Sequence, residues 1–394
     1  MTRKILILFS SLAALMTCVS CVGQRQINEL AIVTAVGIEN GQKPGTIRLS
    51  AQIIRPSDAR GQTGAPSGGT GQPIYSALAE GQTIFDAIRN LGRFVSRRVY
   101  WAHNFLIVMQ EDYARNGIED MVDFFTRNHE LRMNTRVAVT SDSPAEVIST
   151  ITGLEVVPGQ AVDNLFQDNE IVGQAPSSDM MNLEEAYLSR SSEPILARLT
   201  LVSRGISNKK PQEHGSLKQV ELAGAAVFKE GRMVGWLSPE ETRGLLFFTE
   251  RLESGIEVVG CPNSGNKLSL EFRDARLKVK PSYRNERPEF RIELRAKADV
   301  VESGCGTNIA KIRPDIERAL EERLKGEIEA LLRKAQREYH SDVLKLADVF
   351  RNKFPAEWRK IGDRWSSAFS EARVDVAVKA NVKSVVLKSE ESSQ

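Results

Sequence analysis

Hydrophobic positions along the 394-residue chain change period repeatedly, and each change marks a predicted element. An apolar run over residues 5–16 follows the basic pair Arg3 and Lys4. At about a dozen residues it is too short to cross a bilayer roughly 30 Å thick as a permanent helix, and it fits an export signal. Residues 30–36 are β-rich, and Ile47, Leu49, Ala51 and Ile53 alternate through 46–54, which predicts two strands joined by the turn at 40–45. Residues 57–72 consist mainly of Gly, Ser, Thr, Gln and Pro, offer almost nothing to bury and predict a mobile surface loop. A helix from Thr83 carries Ile84, Ala87, Ile88 and Leu91 on one face, and residues 104–109 read as a buried strand. Ile118, Met121, Val122 and Phe125 predict a helix over 118–126, residues 136–140 a strand, and Ser143 with Pro144 a helix start. The polar stretch 155–193 predicts one helix, near 183–189, followed by a strand over 195–202.

Beyond a predicted linker at 206–221, residues 224–229 and 233–237 flank Glu230-Gly231-Arg232, a hairpin signal. Ser238 and Glu241 form a capping box, because each side chain satisfies an open N–H at the other's position. Two long strands are predicted over 268–279 and 289–301, then a helix of about 25 residues from Pro314. Its stripe of Ile316, Leu320, Leu324, Ile328 and Leu331 is expected to face the core. A helix over 341–354 and an alternating strand through Val374, Val376, Val378, Ala380 and Val382 complete the pattern. The expectation is an α+β or α/β protein of several domains, three in number, with mixed sheets packed against helices. Its layout is a signal at 1–20, an anchor segment at 21–26, an N-terminal α/β region at 27–205 divisible into two subdomains, the linker at 206–221, a C-terminal α/β domain at 222–388 and a tail at 389–394.

Cysteine usage sharpens the reading of the amino terminus. The signal ends in Val19-Ser20-Cys21, and a peptidase that cuts before a cysteine leaves a thiol to which diacylglycerol and fatty acyl chains such as palmitate can be attached. Ser20, a very small residue before the cut, favours Cys21; Leu15, three residues before Cys18, keeps Cys18 as the alternative, and an ordinary secretory signal with two incidental cysteines is a third reading. Removing Arg3 and Lys4 from 53 basic residues leaves 51, against 51 acidic ones. A neutral chain with 26% charged residues gives no basis for nucleic-acid binding, so attachment falls to the lipid and to protein partners. Cys261 and Cys305 sit beside glycines, and a disulfide and two free thiols are equally compatible with their spacing. A bridge would close a loop of about 45 residues and contribute roughly 3–4 kcal/mol.

No catalytic constellation emerges. His103, His129, His214 and His340 include no pair at helical spacing, no nucleophile elbow occurs, and Asn266 stands where a phosphate loop needs its lysine. The chain is therefore expected to be a binding or scaffold protein without catalytic residues, metal or cofactor.

The segment from Cys21 to Val33, with Ile27-Asn28-Glu29-Leu30, resembles the start of the mature Ger(x)C proteins, although Val22 and Gly23 depart from that pattern. Similar blocks follow in the family's order: residues 81–88, 96–104, 127–132, 225–228, 234–237 and 354–358. The resemblance to the Ger(x)C family implies the lipoprotein C subunit of a nutrient germinant receptor, held on the outer face of the spore inner membrane with polytopic A and B subunits, and three α/β domains. Arg97, Arg98, Tyr100, Trp101 and His103 are taken as an exposed partner surface, the alternative being that Tyr100 and Trp101 are core. The competing function is a substrate-binding lipoprotein of a nutrient transporter, which requires a ligand cleft between two lobes.

Overall fold

The computed structural model describes Ile5 and residues 29–54, 74–128, 130–150, 155, 157–189, 191–206, 216–250, 252, 254–262, 264–306 and 308–383. Cys18, Cys21, the glycine-rich loop 57–72, His129, His214 and the tail 389–394 lie outside these residues. Strands β1 (Leu30–Asn40), β2 (Ile47–Ile54), β3 (Ile74–Gly81), β4 (Arg98–Tyr100), β5 (Leu106–Gln110), β6 (Arg136–Thr140), β7 (Ile195–Ile206), β8 (Ser216–Lys229) and β9 (Arg232–Leu237) form one mixed sheet. Its order is β3-β2-β1-β5-β6-β7-β8-β9, with β4 beside the start of β1. Strands β1, β5, β6 and β7 run parallel, and antiparallel strands extend both flanks. A second sheet of β10 (Ile256–Gly260), β11 (Lys267–Arg284), β12 (Arg287–Ser303) and β13 (Arg373–Lys383) is antiparallel except for the β12–β13 pair.

The central strands of the first sheet have helices on both faces and so are buried throughout: β5 reads Leu-Ile-Val-Met and β6 Val-Ala-Val. One face packs against α1 (Ile84–Leu91), α2 (Glu111–Asn116), α3 (Glu119–Arg127) and α6 (Met180–Leu188), the other against α4 (Pro144–Ser149) and α5 (Pro158–Val172). In the second half, α7 (Pro239–Thr249) and α8 (Ile309–Arg333) share one hydrophobic cluster with the second sheet and with Ala225, Val227 and Leu237 of the first. The shorter α9 (Leu346–Lys353), α10 (Pro355–Ile361) and α11 (Trp365–Glu371) lead into β13.

The α8 stripe of Ile316, Leu320, Leu324, Ile328 and Leu331 is fully buried, which at about 1.5–3 kcal/mol per side chain makes it a principal source of second-half stability. The capping box forms as expected: Ser238 Oγ accepts the Glu241 N–H at 3.2 Å, and the Glu241 carboxylate accepts the Ser238 N–H at 2.8 Å. The 230–231 hairpin also forms, with Glu230 and Gly231 both at positive φ (51° and 74°), as a right-twisted two-residue turn requires.

Five features depart from the sequence reading. Ile206 ends β7 and residues 216–221 open β8, so the described parts of the 206–221 linker are paired strand, and one sheet runs across the expected domain break. Strand β3 was not expected, because its core-facing residues Ala77 and Ala79 carry little hydrophobic signal. Helix α5 buries Ala161, Val162, Phe166 and Asn169 among long polar side chains, a weak amphipathic pattern. Helix α8 starts at Ile309, where the Asn308 side chain accepts the Ala310 N–H at 2.9 Å, and Pro314 lies inside it. The helix expected from 341 starts at Leu346 instead, because the Asp342 carboxylate caps the Leu346 and Ala347 N–H groups at 3.1 and 2.7 Å.

Two tethers fix the second sheet, one within the second half and one to the first. Cys261 and Cys305 are joined in the structure, with α-carbons 5.3 Å apart, and link the end of β10 to the end of β12 across β11. Arg243 of α7, almost fully buried, donates to the Val172 and Gly173 carbonyls at 3.0 and 3.2 Å, to Ile256 O at 2.7 Å and to Glu257 Oε1 at 2.7 Å. One guanidinium thus fastens the end of α5 to β10 of the second sheet.

Candidate functional site

Helix α1 begins where β3 turns sharply inward. A Cβ on Gly81 would lie 2.2 Å from the Ala87 nitrogen, so only glycine permits this close strand-to-helix turn. Thr83 Oγ1 accepts the Asp86 N–H at 3.1 Å and the Asp86 carboxylate accepts the Gln82 N–H at 2.9 Å, fixing the first turn. Ile84, Ala87 and Leu91 then face the sheet, which forces Phe85 and Arg89 outward. Helix α3 buries Met121, Val122 and Phe125 by the same spacing and presents Asp120, Asp123, Phe124 and Arg127 toward α1.

Between the two helices and the segment leading into β4 lies a groove of 840 Å³. Ile88, Val95, Val99 and Trp101 line it with apolar surface, and Phe85 and Phe124 meet across it with ring centroids 6.3 Å apart. Phe124 is braced edge-on by buried Phe125 at 5.1 Å. The rim is charged. Arg98 pairs with Glu130 at 3.0 Å, Arg127 with Asp123 at 2.5 Å, and the Arg89 guanidinium stands 4.8 Å from the Phe85 ring centre. Solvent-facing pairs of this kind stabilise the fold little and leave their donors available for exchange with a partner. Phe85 is 53% exposed although its ring contacts are all at the groove, the arrangement of an interface anchor rather than of a core residue.

The five residues expected to form a partner surface separate into three situations. Arg97 and Arg98 are exposed and line the groove. Trp101, at 4% exposure, belongs to the core beneath it, which corrects its expected exposure: it follows β4, whose pairing with β1 directs the indole inward. Tyr100 is half-buried and lies 6.2 Å, ring to ring, from exposed His103, away from the groove. Phe85, Phe124, Asp120 and Asp123 were not foreseen; the available signal was an aromatic or acidic residue out of phase with the apolar stripe of its own helix. Among the described residues, no group of three or more His, Cys, Asp or Glu could hold a metal ion, and no helix is long and apolar enough to cross a membrane.

Three of the stretches on which the resemblance rests contribute to the groove walls, through Thr83, Ile84, Phe85 and Ile88, through Ser96 to Val99 with Trp101, and through Arg127, Asn128 and Glu130, alongside Asp120, Asp123 and Phe124 of α3. Comparison with known proteins matches residues 23–201 to "Spore germination protein N-terminal domain" and residues 223–385 to "Spore germination B3/ GerAC like, C-terminal". The chain belongs to the Ger(x)C family of spore germination proteins. Relatives in Bacillus subtilis (strain 168) span nearly its full length. Spore germination protein KC is 25% identical, over 97% of this chain and 96% of that protein, and spore germination protein B3 is 22% identical, over 95% and 96%. The crystal structure of the GerBC protein superposes with a TM-score of 0.56 at 20% identity, covering 89% of this chain and 98% of that one, which establishes the shared fold. These Ger(x)C relatives bear the names of germination proteins, not of enzymes.

Proposed function

We propose that this Ger(x)C protein is the lipid-anchored C subunit of a nutrient germinant receptor, tethered through Cys21 to the outer face of the spore inner membrane, and that the α1–α3 groove docks the polytopic A and B subunits. The observation that carries the docking site is the convergence of three separate family-like segments on one concave, aromatic- and arginine-lined surface in a chain with no catalytic constellation. The protein acts as a scaffold or signalling subunit; it transforms no substrate. A transporter's substrate-binding lipoprotein would present a ligand cleft between two lobes, whereas this groove lies between two helices on one sheet face.

The test is co-purification of the polytopic subunits from detergent-solubilised spore membranes with wild-type protein or with Phe85→Ser/Arg98→Glu. Both side chains are solvent-facing, so the fold should change by no more than about 0.5 kcal/mol per site. Loss of two anchors of about 1–2 kcal/mol each is expected to reduce recovery of the partners at least tenfold. Unchanged recovery would remove the groove from the interface.

A further inference from the structure

The groove has a rim that its floor does not explain. After α1 the backbone winds on through Gly92, Arg93, Phe94 and Val95, whose N–H groups bond to the carbonyls of residues 89–91 at 3.0–3.2 Å, so this tip is held rigidly. Phe94 stands at its apex, 51% exposed and outside every hydrophobic cluster. Exposed Arg93 and Arg97 form no ion pair with any described residue. The segment 83–100 contains Arg89, Arg93, Arg97 and Arg98 against the single acid Asp86, a local excess of positive charge in a chain that is otherwise balanced.

Topology places this tip. Strand β4 pairs parallel to β1, with Arg98 opposite Leu30, so the segments preceding the two strands leave the sheet at the same end. The chain entering β1 comes from Cys21, nine residues before Leu30. At about 3.5 Å per residue, nine residues reach no further than about 30 Å.

We infer that the 93–98 tip is a membrane-contact element: Phe94 enters the interfacial region of the bilayer while Arg93 and Arg97 bind anionic phospholipid headgroups. An exposed aromatic ring flanked by arginines that pair with no described residue matches the apolar-below, anionic-at-surface profile of such a membrane, where each basic residue is worth about 1 kcal/mol. The contact would fix the orientation of a tethered protein and turn the groove toward membrane-embedded partners. That orientation rests on the anchoring proposed above, but lipid binding by the tip does not require the acyl group, so the two fail independently.

The mature chain from residue 21, with Cys21→Ser in place of the acylated cysteine, retains every element from β1 onward and is mixed with sedimentable vesicles of phosphatidylglycerol and phosphatidylcholine in equal parts. It is expected to sediment with these vesicles at low ionic strength, far less at high ionic strength, and not with phosphatidylcholine alone. Arg93→Glu/Arg97→Glu should weaken binding by about thirtyfold or more, two residues at about 1 kcal/mol each, with an unchanged thermal midpoint; Phe94→Ser should weaken it as well. As a second measurement on the full acylated protein in the same vesicles, a Phe94→Trp form should show fluorescence, relative to wild type, that brominated lipid quenches. Absence of binding to anionic vesicles, binding that the tip variants leave intact, or an unquenched residue 94 would each overturn the inference. Normal vesicle binding by variants that lose only the polytopic subunits would do so too, and would assign the tip to protein docking.

Discussion

Glu327 sits on α8 where α7, α8 and β10 meet, facing Arg243, Glu240, Glu257 and Arg323. Glu257 takes the better share of the two guanidiniums, accepting from Arg243 at 2.7 Å and from Arg323 at 3.2 Å. Glu327 keeps only Arg323 at 3.1 Å, and its Oε2 has no partner among the described residues. Burial, reinforced by the neighbouring Glu257 charge, pushes its carboxyl up to about 8 from 4.5. The folded protein therefore holds a proton that the unfolded chain has released between pH 4.5 and 8. By linkage this stabilisation is complete below 4.5 and is lost as pH rises through 8. Asp342, raised by burial to about 6 from 3.8, has the same sign but releases most of its proton at lower pH, and Glu193 is also raised by burial, so from about pH 6.5 to 8 Glu327 makes the larger contribution without being the sole one. Over those 1.5 units, at about 1.4 kcal/mol each, the wild type should lose on the order of 2 kcal/mol, about 5 °C in midpoint for a unit of this size. Glu327→Gln keeps the shape and is neutral at every pH. Thermal melts of both proteins across the interval should show the wild-type midpoint falling more steeply than the variant's, by about the amount assigned to Glu327. Parallel slopes, or a wild-type midpoint that rises with pH, would refute the assignment of a neutral buried acid.

Gly244→Ala should lower stability by about 1–3 kcal/mol in chemical denaturation, because the added Cβ meets the Glu327 carbonyl oxygen at 2.9 Å and backbone cannot yield as a side chain can; an unchanged midpoint would mean that α7 and α8 separate freely. Replacing Cys261 and Cys305 by alanine, which opens a link across 44 residues, should cost up to about 4 kcal/mol. A reducing agent should then shift the denaturation midpoint of the wild type and not of the variant, and equal midpoints for the two proteins under oxidising conditions would show that the cysteines do not pair.

Much of the fold was legible because burial on one face imposes a period. The α8 stripe, the capping box at Ser238, the 230–231 turn and the buried run of β5 all follow from local chemistry, and each forms. What escaped notice depended on partners distant in sequence. Strand β3 is held by its pairing with β2, and its core-facing Ala77 and Ala79 are too small to give a clear hydrophobic signal. Residues 216–221 look like linker because strands β7 and β8 carry charged residues such as Arg204 and Glu221 that pair across the sheet at 2.8 Å. The groove was half legible. Arg97 and Arg98 stood out as a basic block, whereas Phe85 and Phe124 acquire meaning only when α1 and α3 are set side by side. Trp101 stayed open between surface and core because aromatic composition alone does not distinguish a core floor from an interface anchor, and its burial places it in the core.

If this chain is the membrane-tethered C subunit proposed above, spores need both it and its anchor to respond to nutrients. The most direct test is nutrient-triggered release of dipicolinic acid from spores in which the native copy is deleted and replaced by the wild-type gene, by Cys21→Ala, or by nothing. Full release is expected with the wild type, and severe loss both in the deletion and in the alanine form. Normal release from the deletion strain, or from spores whose protein lacks Cys21 and is found free of the membrane, would contradict the proposal.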